Sequence, residues 1–173
     1  TDGNDIFVRT IKLDDGTIQD GKTRAKDFKE NPEKVLDSCI DVRLFGGVIP
    51  LSGDSITYTG PVQFQMGRSF HPVEIKHIKG TGAFAGKKGS KQKTFREEYI
   101  LPYSLIGFYG IINENAAQDT QLTEDDVNLL MEAIWKGTKN LISRSKFGQT
   151  PRLLLKVNYI EDNFYIGELK EYI

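Results

Sequence analysis

"LTEDDVNLLMEAIWKGTKNLI", residues 122–142, decides how the fold is read. Thr123 stands where a helix needs a cap. Glu124, Asp125 and Asp126 follow it and complement the positive end of a helix dipole. Val127, Leu130, Met131, Ile134, Trp135, Leu141 and Ile142 recur at helical spacing and form an apolar stripe, which makes Trp135 and Met131 core residues on this reading. Lys136, Lys139 and Arg144 gather at the other end, where the dipole favours cations. Gly148 and Pro151 stop the helical pattern, and "RLLLKVNYI" (152–160) reads as the strand that follows.

Working back from that helix, "REEYILPYSLIGFYGIIN" (96–113) is the longest apolar run and reads as a central strand covered on both sides. "KGTGAFAGKKGSKQKTF" (79–95) is a Gly/Lys loop without a core pattern. In "SITYTGPVQFQMGRSFHPVEIKHI" (55–78), Ile56, Tyr58, Val62 and Phe64 fit a sheet that Gly60-Pro61 interrupts. Pro32 suits a first helical turn capped by Asn31; Val35, Leu36, Cys39 and Ile40 continue at helical spacing until Gly46 and Gly47 stop it. Near the start, Ile6, Val8, Ile11 and Leu13 suggest a strand, with a turn at Asp15-Gly16. The order of strand, helix, several strands, helix and strand predicts an α+β fold, an antiparallel sheet with helices on one face. The length of 173 residues fits a single domain, 1–173, with a Gly/Lys-rich inserted loop at about 76–96.

The net charge of −1 conceals a segregation. Ile75–Arg96 carries seven Lys/Arg and no Asp/Glu, and Ala133–Ile160 carries six and none. These 50 residues hold +13 while the other 123 hold −14. Such separation is the footprint of a polyanion-binding surface, although a solvated loop and a solvated helix end also produce it. One cysteine, Cys39, excludes an internal disulfide and a Cys-based metal cage, and fits a reduced, cytoplasmic setting. No stretch reaches membrane-span length.

Catalytic and cofactor chemistry finds little support. There is neither a P-loop nor a dinucleotide fingerprint, and no apolar helix follows "GTGAFAGKKGS". His71 and His77, an even number of residues apart, could serve a ribonuclease as acid and base or hold a metal weakly; two ordinary surface histidines are the favoured reading. What remains is binding. Lys and Arg neutralise phosphates, and single strands also want aromatic platforms and open glycine turns. "RLFGG" supplies Arg43, Phe45, Gly46 and Gly47; "GPVQFQMGRS" supplies Gln63 and Arg68; "KKGSKQK" supplies Lys87, Lys88, Lys91 and Lys93; "RSKFGQTPR" supplies Arg144, Lys146 and Arg152. Each has a structural explanation of its own, and together they make a cationic groove for an RNA backbone the leading expectation.

At these residues the chain resembles a known family. "DVRLFGG", "TGPVQFQMGRSFHPV", "LPYSLIGFYGIIN", "LTEDDVNLLMEAIWKGTKNLISRSKFGQTPRLLLKVNY" and "FYIGEL" are similar, in order, to the crRNA-binding backbone subunit of type I CRISPR Cascade complexes, subtype I-B in particular. The resemblance implies a modified RNA-recognition-motif (ferredoxin-like) core. It also implies a non-catalytic subunit that binds guide RNA and needs no cofactor or metal. Its partners would be further copies of itself in a helical filament, other Cascade subunits, and target DNA through the guide, with no membrane. A thumb-like hairpin would reach the neighbouring copy, with Lys87–Lys93 its candidate. The family's N-terminal strand and basic helix do not precede Thr1, and its C-terminal part does not follow "IGELKEYI". The resemblance therefore implies an internal fragment with an unpaired sheet edge open to a partner strand. Beside this stand two alternatives: a guide-RNA-processing ribonuclease using His71 or His77, and an architectural protein-interaction module.

Overall fold

Asn31, Asn113 and Thr123 set where three of the helices begin. The computed structural model of the protein describes residues 3–85 and 93–171. Along the chain lie α1 (Gly21–Asp27), α2 (Pro32–Ser38), α3 (Ile40–Phe45), β1 (Gly46–Leu51), β2 (Asp54–Thr59), β3 (Val62–Phe64), β4 (Arg68–Ser69), β5 (Lys76–Ala85), β6 (Lys93–Ile100), β7 (Ile106–Gly107), β8 (Gly110–Ile112), α4 (Glu114–Thr120) and α5 (Glu124–Lys139). The strands pair antiparallel two by two: β1 with β2, β3 with β8, β4 with β7, and β5 with β6. The class is α+β, as expected, built from small antiparallel ribbons.

The expected caps do their work. The Asn31 side chain accepts hydrogen bonds from the Glu33 and Lys34 amides at the head of α2, with Pro32 in the first turn. Thr123 and Asp126 form a reciprocal capping box at the head of α5. Asn113 caps α4, a helix the sequence reading missed because its seven residues carry too few large apolar side chains to show a period. Asn31→Ala leaves two amides of α2 without their acceptor. It should lower the free energy of unfolding by about 1 kcal/mol, seen as an earlier urea midpoint at unchanged slope.

Two compact units contain the described residues. The first takes the chain up to Phe64, Gly110–Ile142, and Lys146 onward; the second takes Gln65–Tyr109 with Ser143–Ser145. In the first, α2 and α3 are shared between two apolar clusters. Val35, Leu36, Cys39 and Val42 pack with Phe7, Ala25 and Ile49 on one side; Ile40 and Leu44, one turn apart, pack with Val62 and Leu130 on the other. Burial pushes the Cys39 thiol up to about 11, with Asp41 adding to the effect, so it stays a protonated core group.

The N-terminal segment departs from expectation. Phe7, 7% exposed, enters the core, and Val8 is 80% exposed, the opposite phase to the strand reading. One parallel bridge, Asp5 to Cys39, and several side chains hold its backbone. Both Asp41 carboxylate oxygens accept hydrogen bonds, one from the Phe7 amide and one from that of Val8. The buried Arg24 guanidinium donates to the Phe7 and Ile6 carbonyls and pairs with Asp5 and Asp27. The Asp15-Gly16 turn is present, closed by the Leu13 amide on the Thr17 carbonyl and followed by a Lys12–Ile18 bridge.

Three further readings are corrected. The long central strand is broken into β6, β7 and β8, with exposed aromatic residues along it. Aromatic rings lie over glycines of these short ribbons and beside them, Phe70 over Gly107 and Phe108 over Gly67 in the second unit, and Phe64 over Gly110 in the first. Of the Gly/Lys stretch at 79–95, read as a loop, residues 79–85 belong to β5 and 93–95 to β6, which pair antiparallel, and residues 86–92 lie outside the described residues. Residues 152–160 form no strand. They run without a ladder partner among the described residues, so the β-forming side chains have no second strand to register against.

Candidate nucleic-acid interface

Arg43 is the clearest reassignment. Projecting from α3, its Nε donates to Asp126 Oδ2 at 2.8 Å and its Nη2 to Oδ1 at 2.7 Å, while Nη1 donates to the Leu36 carbonyl at 2.7 Å. Both side chains of the pair are more than nine-tenths buried. Burial works to raise the Asp126 carboxyl, but the Arg43 and Thr123 hydrogen bonds outweigh it and hold it below its ordinary 3.8. A guanidinium so engaged joins α3 to α5. Beside it, Phe45 is half exposed. Gly46 is pressed against the backbone of β2, while Gly47 faces open space. Gln63 donates its amide to the Gly60 carbonyl at 2.9 Å.

The cations at 133–160 divide by their partners. Lys136 pairs with Glu132 one turn away, and Lys156 with Glu124. Lys139, Lys146 and Arg152, all in the first unit, are exposed and have no acidic partner among the described residues. The turn that carries Lys146 is closed by the Gln149 amide on its carbonyl at 3.1 Å, with Gly148 at φ +89°. In the second unit, Arg144 and Arg96 share Glu98, two positive charges on one carboxylate. Arg68 lies exposed on β4 opposite Gly107, again without an acidic partner among the described residues. Lys87, Lys88 and Lys91 lie outside the described residues; Lys93 opens β6, opposite Ala85.

The two histidines are not brought together as an acid–base pair. His71 stacks on Tyr103 with ring centroids 5.3 Å apart, its Nδ1 donating to the Pro72 carbonyl and its Nε2 accepting from the Leu105 amide. His77, on β5, stacks on its cross-strand partner Tyr99 at 4.6 Å and lies 3.6 Å from Glu97. No cluster of three His, Cys, Asp or Glu side chains among the described residues could hold a metal ion.

The sequence reading missed an apolar cleft of about 550 Å³ at the C-terminal end of α5, lined by Trp135, Lys139, Leu141, Ile142, Phe147 and Pro151 among others. Trp135, expected in the core, is 38% exposed, and Phe147 is 83% exposed. The helical period correctly put Trp135 on the stripe. The stripe, however, outruns its cover: Val127 and Leu130 are buried, while Trp135 and Lys139 line the cleft together with residues 147–151. An aromatic residue at the cationic end of a helix was the available signal.

These features describe an α+β protein rich in two-stranded ribbons, with exposed cations that have no acidic partner among the described residues, one of which, Lys139, lines an aromatic cleft. A family model of CRISPR-associated protein Cas7 matches residues 1–171, and the chain belongs to that family. The CRISPR-associated protein Cas7 of Haloferax volcanii is 30% identical over 200 aligned positions, which cover 98% of this chain and 58% of that protein. The chain thus spans less than two thirds of the length of this relative. Among the described residues no helix is long and apolar enough to cross a membrane.

Proposed function

We propose that this chain binds CRISPR guide RNA, without cutting it, as a repeating backbone subunit of a cytoplasmic Cascade surveillance complex. Its partners are the guide, further copies of itself, other Cascade subunits, and target DNA through base pairing with the guide. The observation that carries this reading is the set of exposed cations that have no acidic partner among the described residues, Lys139, Lys146 and Arg152, in an acid-free stretch of a Cas7-family chain. Unpaired lysine and arginine side chains in a protein of net charge −1 are suited to phosphate oxygens. Arg68 offers the same chemistry in the second unit. The β5–β6 ribbon, with Lys93 at the start of β6 and Lys87, Lys88 and Lys91 between its strands in sequence, is the candidate thumb toward a neighbouring copy. A modified RNA-recognition-motif ancestry accounts for the mixture of helices and antiparallel ribbons.

The test is binding of the purified protein to single-stranded RNA across a salt series. The logarithm of affinity should fall linearly with the logarithm of salt, with little dependence on sequence. Replacing Lys146 and Arg152 together by alanine should make the slope shallower by about 1.4, roughly 0.7 for each phosphate no longer neutralised on a single strand. Absence of RNA binding, or an unchanged slope in the double variant, would overturn the reading. RNA recovered intact after incubation is expected; cleavage abolished by alanine at His71 and His77 would favour the ribonuclease alternative instead.

A further inference from the structure

The cleft at the end of α5 is chemically more than a patch of cations. We propose that it is a nucleobase pocket, in which Trp135 and Phe147 stack an unpaired base of single-stranded RNA whose flanking phosphates meet Lys146 and Arg152. The inference rests on the guide-RNA reading above and assigns that site a second mode of contact. A volume of about 550 Å³ falls within the range that small-ligand sites occupy. Two of its walls are aromatic, and Phe147, at 83% exposed, has no other packing role of consequence. Asn140, Gln149 and Thr150 also line it, and such side chains match the donor and acceptor edges of a base.

Charge and dipole select a base over other occupants. No acid lines the cleft, Lys139 does, and Lys146 and Arg152 flank the lining turn in sequence. An uncharged apolar peptide would gain nothing from that bias. The carbonyls at the C-terminal end of α5 carry partial negative charge, which repels a phosphate but accepts hydrogen bonds from a base. The base therefore enters at the helix end, and the phosphates stay outside with the cations.

Trp135 is the sole tryptophan of the chain, so its emission reports on the cleft alone. The protein is titrated with a fluorophore-labelled oligoadenylate and with an abasic oligomer of equal length, following Trp135 emission and the label's anisotropy together. Oligoadenylate should quench Trp135 with the midpoint seen by anisotropy; the abasic oligomer should bind without quenching. Phe147→Ala should weaken oligoadenylate binding by about tenfold to hundredfold at an unchanged salt slope, and leave the abasic oligomer unaffected. Its urea midpoint should match wild type, since the ring is exposed. Salt-sensitive RNA binding with no quenching and no loss in the Phe147 variant would overturn the pocket and leave the guide-RNA reading standing. No binding by anisotropy would overturn both. A blue shift of Trp135 that grows with protein concentration without RNA would make the cleft a contact between copies, and overturn the pocket as well.

Discussion

Asp126→Ala lowers the free energy of unfolding by about 3–5 kcal/mol in a urea titration at neutral pH. The substitution leaves the buried Arg43 guanidinium without its carboxylate, a charge that burial cannot tolerate alone. It also removes a second bond, because Oδ2 accepts from the Thr123 amide at 3.1 Å as well as from Arg43. The cap of α5 and the link to α3 therefore fail together. A control separates these costs. Replacing Arg43 by methionine and Asp126 by leucine keeps the volume and removes both charges, and should recover part of the loss.

Acid should reproduce the single variant in the wild-type protein. The Asp126 carboxyl is held below 3.8 in the fold and titrates near 3.9 in an unfolded chain. Its contribution is fully present above about pH 5 and is lost as the pH falls through the folded value. The gap in stability between wild type and Asp126→Ala should accordingly be flat above about pH 5 and narrow on further acidification. A gap that widened toward acid would contradict the assignment.

The second large effect is expected at Gly46. It sits at φ +68°, and a methyl group there would lie 2.2 Å from the Tyr58 carbonyl oxygen and 2.4 Å from the Gly60 amide nitrogen. All of these contacts are backbone, so no side chain can swing aside. Gly46→Ala combines left-handed strain with overpacking and should cost about 2–5 kcal/mol. The next residue is the comparison. A methyl at Gly47 meets nothing within 4 Å. Gly47→Ala should therefore lose only the strain, about 1–2 kcal/mol. Equal Tm losses at the two positions would show that close approach of the strands is not what Gly46 serves.

Local signals in the sequence were read well. Asn31, Pro32, Thr123 and the Gly46 stop act within a turn of their own position, and the structure uses each as expected. The helical period at Val35, Leu36, Cys39 and Ile40 also translated directly into burial. What failed depends on distant partners. The apolar runs at 96–113 and 152–160 have strand composition, but a strand exists only where another segment supplies a ladder. Phe7 took the core position that alternation gave to its neighbours, because Asp41 and Arg24 bind that stretch of backbone from afar. At the candidate site the same division holds. Composition located the acid-free stretch, whereas only coordinates separate Arg43, paired with Asp126, from Lys146 and Arg152, exposed without an acidic partner.

The link between Arg43 and Asp126 spans 83 residues of chain, and this bears on how the protein emerges from the ribosome. At about 5–20 residues per second, roughly 4–17 s pass between synthesis of the arginine and of its carboxylate. Throughout that interval the nascent α2–α3 hairpin must stay hydrated around its guanidinium, and its final closure waits for the far helix to be translated.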